Sequence, residues 1–284
     1  MNRRTIAKPV TIRGTGLFTD TPASATIEPA APGLGIGFIH NSTLVHADIE
    51  LLARSPIPVF ADQPARHTCL ALGGAIATTT EHILAALVGL GISDAIITLG
   101  ETGELPIGDG SAKLFTDAIT ATGITQLGGD LAPITLTSPI AVRDGSASII
   151  ARPADKASYT YNFEPAKGSP LAPQVAAWDA SQGAFQREIA PARTFSMHAE
   201  ATRMQNLGLF TSFTEADLLV LDTAGDPIGN GFRFVNEPAR HKLLDLVGDL
   251  ALVGAPVLAS INATGSGHAL NHRLAKELRC LRAE

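Results

Sequence analysis

Residues 236–249 read Asn-Glu-Pro-Ala-Arg-His-Lys-Leu-Leu-Asp-Leu-Val-Gly-Asp. Within them, His241-Lys-Leu-Leu-Asp-Leu-Val-Gly248 can be laid on His82-Ile-Leu-Ala-Ala-Leu-Val-Gly89 at an offset of 159 residues, with five of eight positions identical. Further on, Asp109 and His268 each follow their respective histidine by 27 residues, and each opens the final helix of its half. Self-similarity at a fixed offset is the signature of an internal duplication. The expected fold is α+β, in two pseudo-symmetric halves packed face to face, with His82 brought near His241.

Outward from these stretches, the pattern alternates between short β-like runs and a few helices. Runs at 10–18, 24–27, 35–39, 58–60 and 68–72 are broken by Pro, Gly and Asp and read as strands. A helix is expected over 80–90, capped by Thr79 or Thr80 and with Glu81 favourably placed in its first turn, and it stops at Gly91. A strand at 95–99 and a helix at 111–121 complete the first half. Strands resume at 134–136, 147–151 and 158–163, so a boundary near 124–131 divides the chain into domains 1–126 and 127–284. The second half repeats the plan with a helix at 238–252, a strand at 257–261 and a helix at 268–281.

Composition excludes several classes of protein. The 284 residues are 45% hydrophobic and only 17% charged, which is ample for packed cores and unlike a disordered chain. Lys and Arg number 21 against 27 Asp and Glu, a net charge of −6 that argues against holding nucleic acid by a general positive field. With 18 prolines, 27 glycines and 5% aromatics, many turns and short elements are expected, and a coiled coil is not. The longest apolar stretch, 250–261, holds Gly254 and Pro256 and is too short to span a bilayer, and the N-terminus does not read as a secretory signal. A soluble cytoplasmic protein without stable membrane insertion is the expectation. Two cysteines, Cys69 and Cys280, cannot build a disulfide framework or a multi-cysteine zinc site, so any metal must be held by His and carboxylates.

Such a set is visible. On a helix His241 and Asp245 stand at i and i+4, on one face, and can share a metal ion. A catalytic zinc commonly takes three protein ligands and keeps one position open. The pseudo-symmetric His82 is the candidate third. Glu81, next to it, is placed to take a proton from water as general base. His268 is the candidate general acid, with Asp249 orienting it and raising its pKa, and Lys242 adds fixed positive charge. Each feature alone has a plainer reading: a surface ion pair for His241 and Asp245, helix electrostatics for Glu81, a turn into a helix for His268, and an ordinary turn for Asp109. Their convergence on one interface favours the joint reading.

The chain resembles the UDP-3-O-acyl-N-acetylglucosamine deacetylases, zinc amidohydrolases of lipid A synthesis in Gram-negative bacteria. The resemblance runs end to end: RGTGLF at 13–18, TCL at 68–70, TTTEHILAALVGLGISDA at 78–95, ELPIGDGSAKLF at 104–115, ARTF at 192–195, NEPARHKLLDLVGDL at 236–250 and SGHALNHRLA at 266–275. It implies that His82, His241 and Asp245 hold Zn2+, that Glu81 is the base, and that His268 is the acid with Asp249 as its partner. It further implies that the Thr194 hydroxyl stabilises the oxyanion and that Lys242 contacts the substrate's diphosphate side. Phe163, in YNFEP at 161–165, and Phe195 are implied contacts of the substrate, Phe163 near the uridine. The implied architecture is two small sheets, each layered with paired helices, meeting helix to helix around zinc. An insert at 197–213 would form an apolar passage for the acyl chain through Met197, Met204, Leu207, Leu209, Phe210 and Phe213.

The implied reaction is hydrolysis of the N-acetyl group of the acylated UDP-sugar, with release of acetate, by a cytoplasmic monomer. The chain departs from the family pattern at Phe18, where many members have histidine, and at Thr211-Ser212-Phe213, where they have a glycine-containing turn. His67 is expected to approach the site, and the chain stops soon after its last helix without the longer tail of some members. Altered acyl preference is the expected consequence. Two other functions fit the same residues: a non-catalytic binder of a lipidated sugar nucleotide, and a zinc hydrolase acting on another N-acyl compound.

Overall fold

The computed structural model describes residues 1–60 and 65–282. Its first half contains β1 (Asn2–Ile6), β2 (Val10–Thr15), β3 (Pro22–Pro29), β4 (Ile36–His40), β5 (Thr43–His46), β6 (Cys69–Leu72), β7 (Ala75–Thr78), α1 (Glu81–Gly89), β8 (Ala95–Leu99) and α2 (Lys113–Thr122). After β9 (Ile124–Asp130) come β10 (Ile134–Thr135), β11 (Ile140–Asp144), β12 (Ala147–Pro153), β13 (Ser158–Phe163), β14 (Gln174–Trp178) and the single turn α3 (Gln182–Ala184). The chain closes with β15 (Phe195–Met197), α4 (His198–Asn206), β16 (Leu219–Leu221), β17 (Pro227–Ile228), α5 (Glu237–Leu250), β18 (Val257–Thr264) and α6 (His268–Arg279).

The duplication is visible in the topology. The first sheet runs β2-β3-β8-β4-β5 and the second β11-β12-β18-β13-β14, with β10 added alongside β18. In each, the first two strands form an antiparallel hairpin, and the strand arriving last inserts at the centre, antiparallel to the second strand and parallel to the third. In each, a core helix comes directly before that central strand, α1 or α5, and one follows it, α2 or α6. Alternating burial along β3 and β18 shows one face of each sheet turned to the core, as period-two side chains require.

Helix against helix, α1 and α5 join the halves. α1 is rich in Ala and Leu, good helix formers, and is buried at eight of its nine positions, so no polar stripe is needed. The two helices cross tightly enough that a Cβ on Gly248 would lie 2.0 Å from the Glu81 carbonyl oxygen. Each half also carries an insertion before its core helix, the β6-β7 hairpin in the first and the β15-β16-β17 sheet with α4 in the second.

Several local expectations change. The run 58–60 is a turn of 3-10 helix. Thr80 makes no side-chain cap; its hydroxyl donates instead to the Thr68 carbonyl. His268 opens α6, but Asp109 precedes α2 by four residues, because Asp109 is engaged by the Ser111 hydroxyl and amide in a turn. The boundary segment is not a bare linker: β9 spans it and pairs with β1, so the expected division at 126/127 falls inside a strand.

Candidate metal centre

The i, i+4 spacing on α5 puts His241 Nε2 at 3.4 Å from Asp245 Oδ1, and α1 brings His82 Nε2 to 3.7 Å from the same oxygen. The two imidazoles lie 5.2 Å apart, edge to face, and one ligand atom from each of the three residues falls within 4.8 Å of the others. All three side chains are buried.

The hydrogen bonds leave the ligating atoms free. The Ala192 carbonyl occupies His241 Nδ1 at 3.2 Å, so Nε2 faces the cluster. Lys242 Nζ donates to Asp245 Oδ2 at 2.9 Å, while Oδ1 has no hydrogen-bond partner among the described residues. A buried carboxylate oxygen without a donor is costly unless a cation meets it. Burial pushes the His241 imidazole down to about 3, which keeps it neutral, and Lys242, donating to Oδ2, helps hold the Asp245 carboxyl well below the usual range against its burial. Two imidazoles and an ionised carboxylate are the donor set a borderline divalent ion takes. The residues fit a metal.

Beside the cluster stands a second polar group. Asp249 Oδ2 accepts from His268 Nδ1 at 2.8 Å and from Asn271 Nδ2 at 2.8 Å, and Asp249 Oδ1 accepts from the Thr68 hydroxyl at 2.5 Å. His272 Nε2 lies 2.8 Å from that hydroxyl and 3.3 Å from Asp249 Oδ1. Burial opposes the charged form of His268, yet Asp249 outweighs it and the imidazolium is held up to about 9. His268 Nε2 points back toward the cluster, 3.9 Å from Asp245 Oδ2. Glu81 accepts from the Thr68 amide at 3.0 Å, and burial raises its carboxyl above the usual carboxylate range against the pull of His268 and His82. Thr68, Asn271 and His272 are the members that sequence reading missed. His272 was findable, four residues beyond His268 on one helix face, whereas Thr68, though it opens the TCL stretch, has no spacing that ties it to Asp249.

Thr194, Lys242, Phe195 and His268 line a cavity of about 320 Å3 that extends between the halves to Met204, Phe210 and Phe213. Thr194 is seated by its amide, which donates to the Gly110 carbonyl at 2.7 Å, and a Cβ on Gly110 would strike the Thr194 methyl. Phe163 is outside this cavity and meets Phe195 edge to face at 5.8 Å. Of the apolar residues expected to line the passage, Met204, Phe210 and Phe213 do so, and Leu209 packs against the cluster of Phe18, Phe60 and Met204. Met197 and Leu207 do not; Met197 belongs to β15, and Leu207 is exposed at the end of α4.

Phe18 enters the passage wall, in ring contact with Phe60 at 5.4 Å and Phe210 at 5.6 Å. His67 stacks on Phe18 at 4.4 Å but is not part of that wall. The turn at 211–213 is clasped to the first half, where Asp20 accepts from the Ser212 amide at 3.0 Å and from the Thr211 hydroxyl.

Fold and cluster together define a duplicated α+β protein with a buried two-histidine, one-carboxylate site between its halves, of the kind a metallohydrolase uses. Comparison with protein-family models matches residues 3–279 to the family described as UDP-3-O-acyl N-acetylglycosamine deacetylase, and the chain belongs to that family. A UDP-3-O-acyl-N-acetylglucosamine deacetylase of Anaeromyxobacter sp. (strain Fw109-5) is 37% identical over 279 residues, covering 98% of this chain and 88% of the relative. The protein of the same name from Chlamydia trachomatis serovar D is 33% identical over 276 residues, covering 97% and 94%.

Proposed function

We propose that the protein hydrolyses the N-acetyl group of UDP-3-O-acyl-N-acetylglucosamine, releasing acetate and the free-amino UDP-sugar, as a cytoplasmic zinc-dependent step of lipid A synthesis. The observation that carries the reading is the unpartnered Asp245 Oδ1 facing two imidazole nitrogens, directly beside the His268–Asp249 pair.

His82, His241 and Asp245 hold the ion. Bound there, Zn2+ supplies Lewis acidity for the amide carbonyl and lowers the pKa of water. Glu81, kept from full acidity by burial, takes the proton of the attacking water onto its carboxylate. The Thr194 hydroxyl stands at the cavity wall to donate to the developing oxyanion. His268, held protonated by Asp249, delivers its Nε2 proton to the departing amine. Thr68, Asn271 and His272 position Asp249 and so fix the ring of His268.

The acyl chain lies in the cavity toward Met204 and Phe210, where Phe18 closes the wall. Lys242, Phe163 and Phe195 meet the nucleotide-sugar portion, and the protein acts as a monomer. Acetate release from the acylated UDP-sugar, measured with the metal present and after chelation, is the test. Metal-replete protein that binds the sugar nucleotide but frees no acetate would sink the reading.

A further inference from the structure

The cavity between the halves draws aromatic wall from both of them, and the two sides are tied together behind their rings. Phe18, in the loop between β2 and β3, stands on the first-half side, and Phe210 and Phe213, in the turn after α4, stand on the second. Two residues beyond Phe18, Asp20 accepts from the Ser212 amide at 3.0 Å and from the Thr211 hydroxyl, the two residues that separate those phenylalanines. Burial works the other way, yet the hydrogen bonds from Thr211 and Ser212 hold the Asp20 carboxyl below its ordinary value, so it meets them as a carboxylate.

The two sides are held differently. On the first, the buried Glu104 carboxylate accepts from the Phe18 amide at 2.9 Å and from the Thr19 amide at 2.8 Å, and a Cβ on Gly16 would strike that carboxylate. Phe18 therefore rides on a backbone anchored within its own half. On the second, the bonds of the turn are local: the Leu209 amide donates to the Met204 carbonyl at 3.0 Å, the Phe213 amide to the Phe210 carbonyl at 3.1 Å, and the Gln205 side chain to the Phe213 carbonyl at 3.3 Å. Among the described residues, the hydrogen bonds that tie 207–213 to a distant part of the chain are those to Asp20.

Backbone strain falls at the same place. Phe210 has a φ of 60°, in the left-handed region where a bulky side chain is an outlier. Such a conformation persists when surrounding contacts over-determine it. The Phe18 ring meets Phe210 at 5.6 Å from one side, and Asp20 holds the next two residues from the other.

We infer that Asp20 is a positioning residue for substrate selection: by clasping residues 211 and 212 it holds Phe210 and Phe213 in the wall opposite Phe18 and so sets how closely the cavity grips an alkyl chain. The inference rests on the deacetylase reading proposed above and adds to it a residue that discriminates acylated from unacylated UDP-sugar by acting through the wall. Dispersion contacts are short-ranged, and a gap of about 0.5–1 Å forfeits a quarter to a half of each one. A released turn therefore loosens the grip on the chain, while His82, His241 and Asp245, held on α1 and α5, keep their places.

Steady-state acetate release by the metal-loaded full chain, from the acylated UDP-sugar and from its unacylated form, tests the inference. Asp20→Ala should raise KM for the acylated sugar about threefold to tenfold, the scale of one partly exposed charge-assisted hydrogen bond, with kcat changed by less than about twofold. Both constants for the unacylated sugar should stay as they are. Asp20→Asn, which keeps an oxygen for the Ser212 amide, and Thr211→Val, which removes one hydroxyl, should each give a smaller rise. Because Asp20 acts through Phe210, adding Asp20→Ala to Phe210→Ala should raise KM little further. A matched rise for both sugars overturns the inference, as does an unchanged KM in Asp20→Ala or an effect fully additive with Phe210→Ala. Decyl glucoside below its micelle concentration, a neutral single-chain probe, is titrated calorimetrically in parallel and should lose affinity by a similar factor in Asp20→Ala. If neither sugar releases acetate, the deacetylase reading fails and this titration decides: weaker binding in Asp20→Ala upholds the clasp, and equal binding overturns it.

Discussion

The two halves share strand order, strand direction and helix placement, yet they fill the matching positions with different chemistry. At the repeat offset His82 faces His241, and both belong to the candidate metal cluster. One turn further, α1 has Ala86 where α5 has Asp245, and the next turn has Leu90 where α5 has Asp249. Both members of each pair are buried. Buried carboxylates are costly unless paired, and α5 meets that cost with Lys242, His268, Asn271 and Thr68, whereas α1 avoids it with apolar side chains. Duplication of the fold therefore did not duplicate the candidate site; its polar groups sit mainly in the second half, and the first contributes His82 and Glu81.

The strongest attack on this asymmetry is to remove its chemistry. Glu81→Ala and His268→Ala should each lower acetate release by about 10²–10⁴, with metal content by atomic absorption unchanged in the latter. Chelation of the ion, or His241→Ala, should abolish release, and added Zn2+ should restore the wild type but not the variant.

Forcing the second-half chemistry onto the first comes next. Ala86→Asp puts a carboxylate where no cation waits, and chemical denaturation should show a loss of about 3–5 kcal/mol. An unchanged stability would mean that the two helices offer equivalent environments.

The imidazolium of His268 can be followed by NMR in metal-free protein. Its pKa is raised, so the stability contributed by the pair with Asp249 is fully present below about 6.5, the unfolded value, and is lost as pH rises through about 9. In Asp249→Asn burial no longer meets that opposing charge, and the histidine should titrate near or below 6.5, with the pH dependence of stability between those values gone.

The smallest effect separates the paired glycines. An added methyl on Gly248 meets the Glu81 backbone at 2.0 Å, and on Gly89 it meets the Phe185 ring at 2.2 Å. Overpacking costs about 1–3 kcal/mol, and Gly248→Ala should fall at the upper end because backbone yields less than a ring. Thermal melts ranking Gly89→Ala as the worse would show that the helix crossing is set by Phe185.

Much of this was legible in the sequence where the signal is local. The i, i+4 pair His241 and Asp245, the apolar helix around His82, and the equal spacings to Asp109 and His268 all survive as geometry, although Asp109 sits in a turn before its helix. Thr68 was opaque, because its hydroxyl reaches Asp249 across 181 positions and a lone threonine carries no periodicity. The same holds for β1 and β9, short and half-exposed strands that pair across more than a hundred residues. Residues 58–60 looked like a strand from their apolar content, but Pro58 and a single tight turn make them 3-10 helix.

By itself, then, the sequence determined the duplicated α+β plan and the placing of His241 and Asp245 on one face of α5, since both rest on spacings that a helix or a repeat converts directly into shared faces. The tertiary structure decided which oxygen of Asp245 is free, which contacts hold Asp249, and which wall residues close the cavity between the halves. Those depend on contacts between segments far apart in the chain, and the burial that shifts Glu81 and His241, like the Asp249 contact that keeps His268 protonated, exists only in the folded chain.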